Sequence, residues 1–199
     1  MERSNIPSQV TGKKLDIFEH RAFTTREDVL AGYQRARSRL FEVNKWCQLV
    51  GTASAEFKLI DKFGDSISRT PRVGDYVQID IPGPGSIIGK GYDWVQVTEL
   101  EDLSEDHYVK IALQPSMPPE NLRSRDEVAH FFKASASTNI EITVRDLTLH
   151  VNYYGRNEEA NTESGLILEN MRNALIGIGA KFGLSFPQWH RLITGILEE

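Results

Sequence analysis

The chain predicts an α+β fold: a curved antiparallel sheet of about six strands packed on a long C-terminal helix, with an N-terminal helix and an extra terminal helix. Three observations predict it. Val77, Ile79 and Ile81 alternate with Tyr76, Gln78 and Asp80, and Val95 and Val97 alternate with Trp94 and Gln96, the two-residue period of half-buried strands. Val29, Tyr33, Ala36, Leu40 and Val43 recur at the three- and four-residue spacing of an amphipathic helix. Leu168, Met171, Leu175, Ile178 and Phe182 repeat that helical spacing near the C-terminus.

Taken in order, Met1 to Gly12 is polar, contains Pro7 and Gly12, and reads as a disordered arm before a single domain over 13–199. Leu15, Ile17 and Phe18 form a short strand or cover the next helix. That helix begins at Thr24-Thr25-Arg26-Glu27-Asp28, where Thr24 with Glu27, or Thr25 with Asp28, makes a reciprocal cap. It runs through Trp46, Cys47, Leu49 and Val50 to Gly51, with the Cys47 thiol buried on the apolar stripe. Ala55, Phe57 and Leu59 then mark a strand ended by the turn Lys62-Phe63-Gly64-Asp65.

The central pair of strands is joined by a loop rich in proline and glycine, from Pro82 to Gly91. Val109, Ile111 and Leu113 line one face of the next strand, with Tyr108 and Lys110 on the other. Pro115, Pro118 and Pro119 close it, because proline cannot donate to a sheet ladder. The stretch from Glu120 to Phe132 is compatible with one or two helical turns.

Ile140, Ile142 and Val144 occupy even positions, while Leu147, Leu149 and Val151 occupy odd ones. A flat strand would put these sets on opposite faces. A two-residue turn at Arg145-Asp146 brings all six to one face, pairing Val144 with Leu147 and Ile142 with Leu149; a bulge near Arg145 is the other solution. The long helix starts near Thr162 or Ser164 and stops at Gly183. Ser185-Phe-Pro-Gln188 restarts a helix whose apolar face is Trp189, Leu192, Ile193, Ile196 and Leu197.

The helix–meander–helix order resembles the helix-grip architecture of START-like ligand-binding proteins, over roughly Phe57 to Phe182. The resemblance rests on element order. It implies a curved meander around a C-terminal helix and an apolar cavity between them. The helix after Ser185 and the Glu120–Phe132 piece depart from the simple pattern.

Composition narrows function mainly by exclusion. With 199 residues and 40% hydrophobic content the chain buries a core without staples. A net charge of −5 argues against nucleic acid as the main partner, and no apolar run suits a membrane span. The single Cys47 forms no internal disulfide, which suits a cytoplasmic location. The five histidines are scattered, no metal-ligand spacing occurs, and no cofactor motif is present. Gly83, Gly85, Gly89 and Gly91 lie between strands, where turn chemistry explains them better than a phosphate cradle.

Two surfaces remain as candidates. A polar constellation follows the last strand: His150, Asn152 and Tyr154, then Arg156, Asn157, Glu158 and Asn161, with Arg172 and Asn173 one helix later. Amides, an Arg fork and a carboxylate at a strand end suit a carboxylate, a sugar or a peptide backbone, although turn and capping roles account for the same residues. Tyr76, Tyr92, Trp94 and Tyr108 could form a stacking platform, but burial as a second core explains them more simply. Three functions are expected in descending order. The first is a non-catalytic binding or assembly protein whose surplus face is Trp189, Ile193 and Ile196, meeting a protein partner or a second copy. The second is a carrier of a small apolar ligand. The third is a hydrolase or isomerase centred on His150, Tyr154, Arg156 and Glu158.

Overall fold

The computed structural model describes residues 5–51, 55–80, 92–122, 132–159 and 185–198. The described elements are β1 (Lys13–Ala22), α1 (Arg26–Phe41), a 3-10 turn (Val43–Lys45), α2 (Trp46–Val50), β2 (Glu56–Ile60), β3 (Tyr76–Asp80), β4 (Tyr92–Leu103), β5 (Tyr108–Pro115), β6 (Ser137–Arg145), β7 (Thr148–Glu158) and α3 (Ser185–Leu197). The strands form one antiparallel sheet in the order β1-β7-β6-β5-β4-β3-β2. That makes seven strands, in line with the expected count of about six. The additional one is β1, a ten-residue strand along the far edge of β7.

One face of the sheet carries the helices. Val109, Ile111 and Leu113 of β5, Ile140 and Ile142 of β6, and Leu149, Val151 and Tyr153 of β7 are buried there with Val29, Tyr33, Ala36 and Leu40 of α1. Each such aliphatic contributes roughly 1.5–3 kcal/mol through removal from water. Thr25 caps α1, its hydroxyl accepting from the Asp28 N–H at 3.1 Å and donating to the Asp28 carboxylate at 2.6 Å, so of the two expected pairs it is Thr25 with Asp28 that meets. Glu42 leaves helical geometry (φ −84°, ψ 58°), and the chain resumes as α2 with a rotated face. Trp46, rather than Cys47, therefore enters the core, and its indole N–H donates to the Arg39 and Leu40 carbonyls at 3.2 Å. The Cys47 thiol is only half-buried.

The β6–β7 connection is a turn, not a bulge. Arg145 pairs with Thr148, which leaves Asp146 and Leu147 as the loop, one residue later than Arg145-Asp146. Asp146 adopts φ +54°, a left-handed conformation that Asp tolerates better than Arg. Val144 thus opposes Leu149 and Ile142 opposes Val151, keeping the shared face, while Leu147 turns outward.

The terminal helix α3 overturns one expectation. Leu192, Ile193 and Ile196 are fully buried against the sheet edge and α1, and Trp189 stacks on Tyr153 with ring centroids 5.0 Å apart. The face read as a surplus interaction surface is core, because β1 widens the sheet and gives it something to cover. Gly195 permits the approach: a Cβ there would lie 2.9 Å from the Leu49 carbonyl oxygen of α2. Arg39 of α1 closes the end of α3 by donating to the Gly195 carbonyl at 3.2 Å and the Ile196 carbonyl at 3.4 Å. The stripe Leu168–Phe182, the loop Pro82–Gly91 and most of Glu120–Phe132 lie outside the described residues. Among the described residues, no helix is long and apolar enough to cross a membrane.

Candidate functional site

The sheet has two faces of different chemistry, and the polar constellation is split between them. β7 alternates normally as far as Arg156, with His150, Asn152, Tyr154 and Arg156 on the outer face, away from the helices. Asn157 then adopts φ +54° and inserts an extra residue opposite β1: Gly155 faces Leu15, but Glu158 faces Lys13. The bulge sends Glu158 to the helix face. The four residues expected to form one catalytic centre therefore do not converge.

On the outer face, Arg156 is nearly buried. It pairs with Asp16 of β1, donates to the Gly155 carbonyl at 2.8 Å, and lies 5.4 Å over the Tyr154 ring. Burial would raise the Asp16 carboxyl, but hydrogen bonds from Lys14 and Arg156 outweigh it and hold the group below the usual carboxylate range. Tyr154 meets Phe18 edge-on at 5.6 Å. Asn157 serves the N-terminal segment. Its side-chain oxygen accepts from the Val10 N–H at 2.7 Å and the Thr11 N–H at 3.1 Å, its amide donates to the Ser8 carbonyl at 3.2 Å, and its own N–H donates to Gln9. Residues 5–12 form no regular element, yet they are tied across the sheet end in this way.

Further along the same face, Lys110 is completely buried and donates to the Asn5 carbonyl at 3.0 Å and to Glu99 at 2.9 Å. Glu101 and Glu141 flank it on β4 and β6, and the Tyr108 hydroxyl donates to Glu141 at 3.0 Å. Desolvation first, then the charge of Glu141, pushes the Tyr108 phenol far above its ordinary value. The Glu101 carboxyl is raised by its hydrogen bond with Glu99. The alternation places Lys110 on the face opposite Val109, Ile111 and Leu113 but does not show its burial. Alternation alone cannot show that another segment covers that side. Trp94 is also buried on this face, with Ile60, Tyr76, Tyr92 and Leu122, whereas Tyr108 belongs to the Glu141 group. The four aromatics form no platform.

On the helix face, the Tyr153 hydroxyl donates to Glu158 at 3.3 Å and lies 3.4 Å from the Thr138 hydroxyl. Gly155 makes room for this group: a Cβ there would lie 2.3 Å from a Glu158 carboxylate oxygen. Burial raises the Glu158 carboxyl above its ordinary value, against the opposing effects of Tyr153, Lys13 and Arg156. Burial also raises Tyr153 well above the usual phenol range. The result is a carboxyl raised above its ordinary value, a phenol and a hydroxyl in otherwise apolar surroundings. Thr138 lies directly across from Leu113, so this polar group borders the apolar strip of β3, β4 and β5.

Asn161, Arg172 and Asn173 lie outside the described residues. Among the described residues, no three His, Cys, Asp or Glu side chains gather to hold a metal. A surface hollow of about 320 Å³ lies at the end of α1, lined by Arg37, Phe41, Glu42, Lys45 and Arg69 among others. Its cations are already paired: Arg37 with Asp102, Lys45 with Glu42 and Arg69 with Asp75.

No protein-family model matches the chain, and no curated protein matches its sequence. Solved structures do. A hypothetical protein of Helicobacter pylori superposes with a TM-score of 0.53 at 7% identity, over 94% of this chain and 87% of that one. A truncated norcoclaurine synthase from Thalictrum flavum aligns at 0.41 with 11% identity, over 97% and 99% of the two chains. A major latex-like protein from Panax ginseng aligns at 0.41 with 13% identity, over 84% and 96%. The first of these likenesses shows a shared fold, an antiparallel sheet with helices on one face. At such identities the likeness concerns the fold alone.

Proposed function

We propose that the protein binds a small, largely apolar molecule on the helix face of the sheet, with Thr138, Tyr153 and Glu158 meeting the one polar end of that molecule. The observation that carries this reading is the polar trio itself. Three hydrogen-bonding side chains sit on an apolar face, in space that exists because residue 155 is glycine. Apolar sites with a few convergent polar groups are the usual form of small-molecule sites. Val77, Val97, Ile111 and Leu113 supply the apolar strip beside the trio. The assembly reading loses its motive, since Ile193 and Ile196 are interior. The catalytic reading loses its centre, since Glu158 stands on the other side of the sheet from His150, Tyr154 and Arg156.

The test uses 1-anilinonaphthalene-8-sulfonate as an apolar probe and near-ultraviolet dichroism to confirm intact packing. The folded protein is expected to take up the probe saturably, at one per chain. Thr138→Leu, which replaces one polar member of the trio with a larger apolar side chain, is expected to weaken uptake at least ~5-fold with the dichroism unchanged, about 1 kcal/mol of binding. Absence of saturable uptake, or uptake indifferent to Thr138→Leu, overturns the proposal.

A further inference from the structure

His20 of β1 and His150 of β7 stand directly opposite each other on the outer face, their rings stacked at 28° with centroids 5.9 Å apart. Their roles in the fold are slight: His20 is exposed and His150 half-buried. Opposed residues on antiparallel strands have Cβ atoms ~5 Å apart. Imidazole nitrogens bind divalent transition ions at ~2.0–2.1 Å, so two rings sharing an ion need their ligating nitrogens within roughly 4 Å of each other. Rotation of two surface side chains achieves that without moving the backbone.

We propose that His20 and His150 form a two-histidine site for a divalent transition-metal ion, with water completing the coordination. Imidazole pairs favour Cu²⁺ over Ni²⁺ and Zn²⁺ by the general order of divalent affinities. Both rings must be neutral to bind. Thr143 faces His150 from β6 and Asn152 follows it on β7, both uncharged, and Arg145 of β6 is the cation that acts on it. The site depends on β1 being paired to β7, so an ion bound there joins the edge strand to the sheet. It is independent of the helix-face trio.

The experiment uses the full chain without a polyhistidine tag, stripped by a chelator, and titrated with Cu²⁺ and Ni²⁺ at pH 7.5. One ion per chain is expected, with nitrogen hyperfine structure in the Cu²⁺ paramagnetic resonance spectrum. A rise in Tm is expected too, because an ion at ~100 times its Kd multiplies the folding constant ~100-fold when the unfolded chain does not bind it. His20→Ala and His150→Ala should each abolish both signals, and His107→Ala should leave them intact. Should His150→Ala fail to fold, His20→Ala alone decides. Ion binding that persists in His20→Ala, or no binding by the unaltered protein, overturns the proposal.

Discussion

The two faces of this sheet are built from the same strands, yet they are held by different forces. On the helix face, Ile140, Ile142, Leu149 and Val151 are fully excluded from water by α1 and α3. On the outer face, side chains one residue away are nearly as buried, but they are Lys110, Asn139, Glu141 and Arg156. Dispersion and dehydration secure the first face. The second depends on paired charges and hydrogen bonds, whose loss is costly only when a partner remains buried without them. One strand can therefore carry an apolar core residue and a buried ion pair at adjacent positions.

Substitutions on neighbouring residues sharpen this contrast. The largest effect is expected from Leu149→Ala, which removes a fully buried side chain beneath α1. It should cost about 3 kcal/mol in urea unfolding. If Asn152→Ala, on the opposite face of the same strand, costs as much, the division of the sheet into two kinds of face is wrong. Lys110→Met comes next, at about 2–3 kcal/mol, because Glu99, Glu101 and Glu141 then share a face without their cation. Stability unchanged by Lys110→Met would mean that water, not Lys110, compensates these acids.

Asn157→Ala should cost less, about 1 kcal/mol, since its bonds reach an irregular segment. Its clearer signature is faster amide exchange at Val10 and Thr11, with the core amides unchanged. Equal protection of these two amides in both proteins would show that the segment is held elsewhere.

The smallest effects are expected from a pair of carboxyls on opposite faces, and they differ in sign. Asp16 has a lowered value in the folded state. Its contribution is present above the unfolded value of ~3.9 and is lost as pH falls through the lower folded one. Glu158 has a raised value. Its contribution is present below the unfolded value of ~4.3 and is lost as pH rises through the folded one. Asp16→Asn should therefore lower Tm at pH 7 and matter little near pH 2. Glu158→Gln should leave Tm at pH 7 unchanged or higher, and remove part of the pH dependence above pH 4. A parallel pH response of the two variants would show that the two environments are alike.

The face-sharing of the β6–β7 hairpin was legible because side-chain parity along a strand is a local property. The parity of Ile140, Ile142, Leu149 and Val151 required a turn of two residues. The exact pair was not legible, since Asp146 rather than Arg145 tolerates the left-handed backbone. Of the candidate site, the polar residues of β7 were found but not their division between faces. The bulge at Asn157 depends on pairing with β1, a strand that sequence reading left uncertain. Tyr153 and Thr138 were missed, as a phenol and a hydroxyl at core positions carry no sequence signal of a site.

Sequence alone determined the period of the central strands and of α1, and most of the core of the described residues, because these follow from the spacing of apolar side chains along a continuous chain. Tertiary structure decided which polar residues are buried, that α3 is interior, and that Glu158 meets Tyr153. Those outcomes depend on segments far apart in sequence coming to cover one another, and no local pattern records what will lie across from a residue.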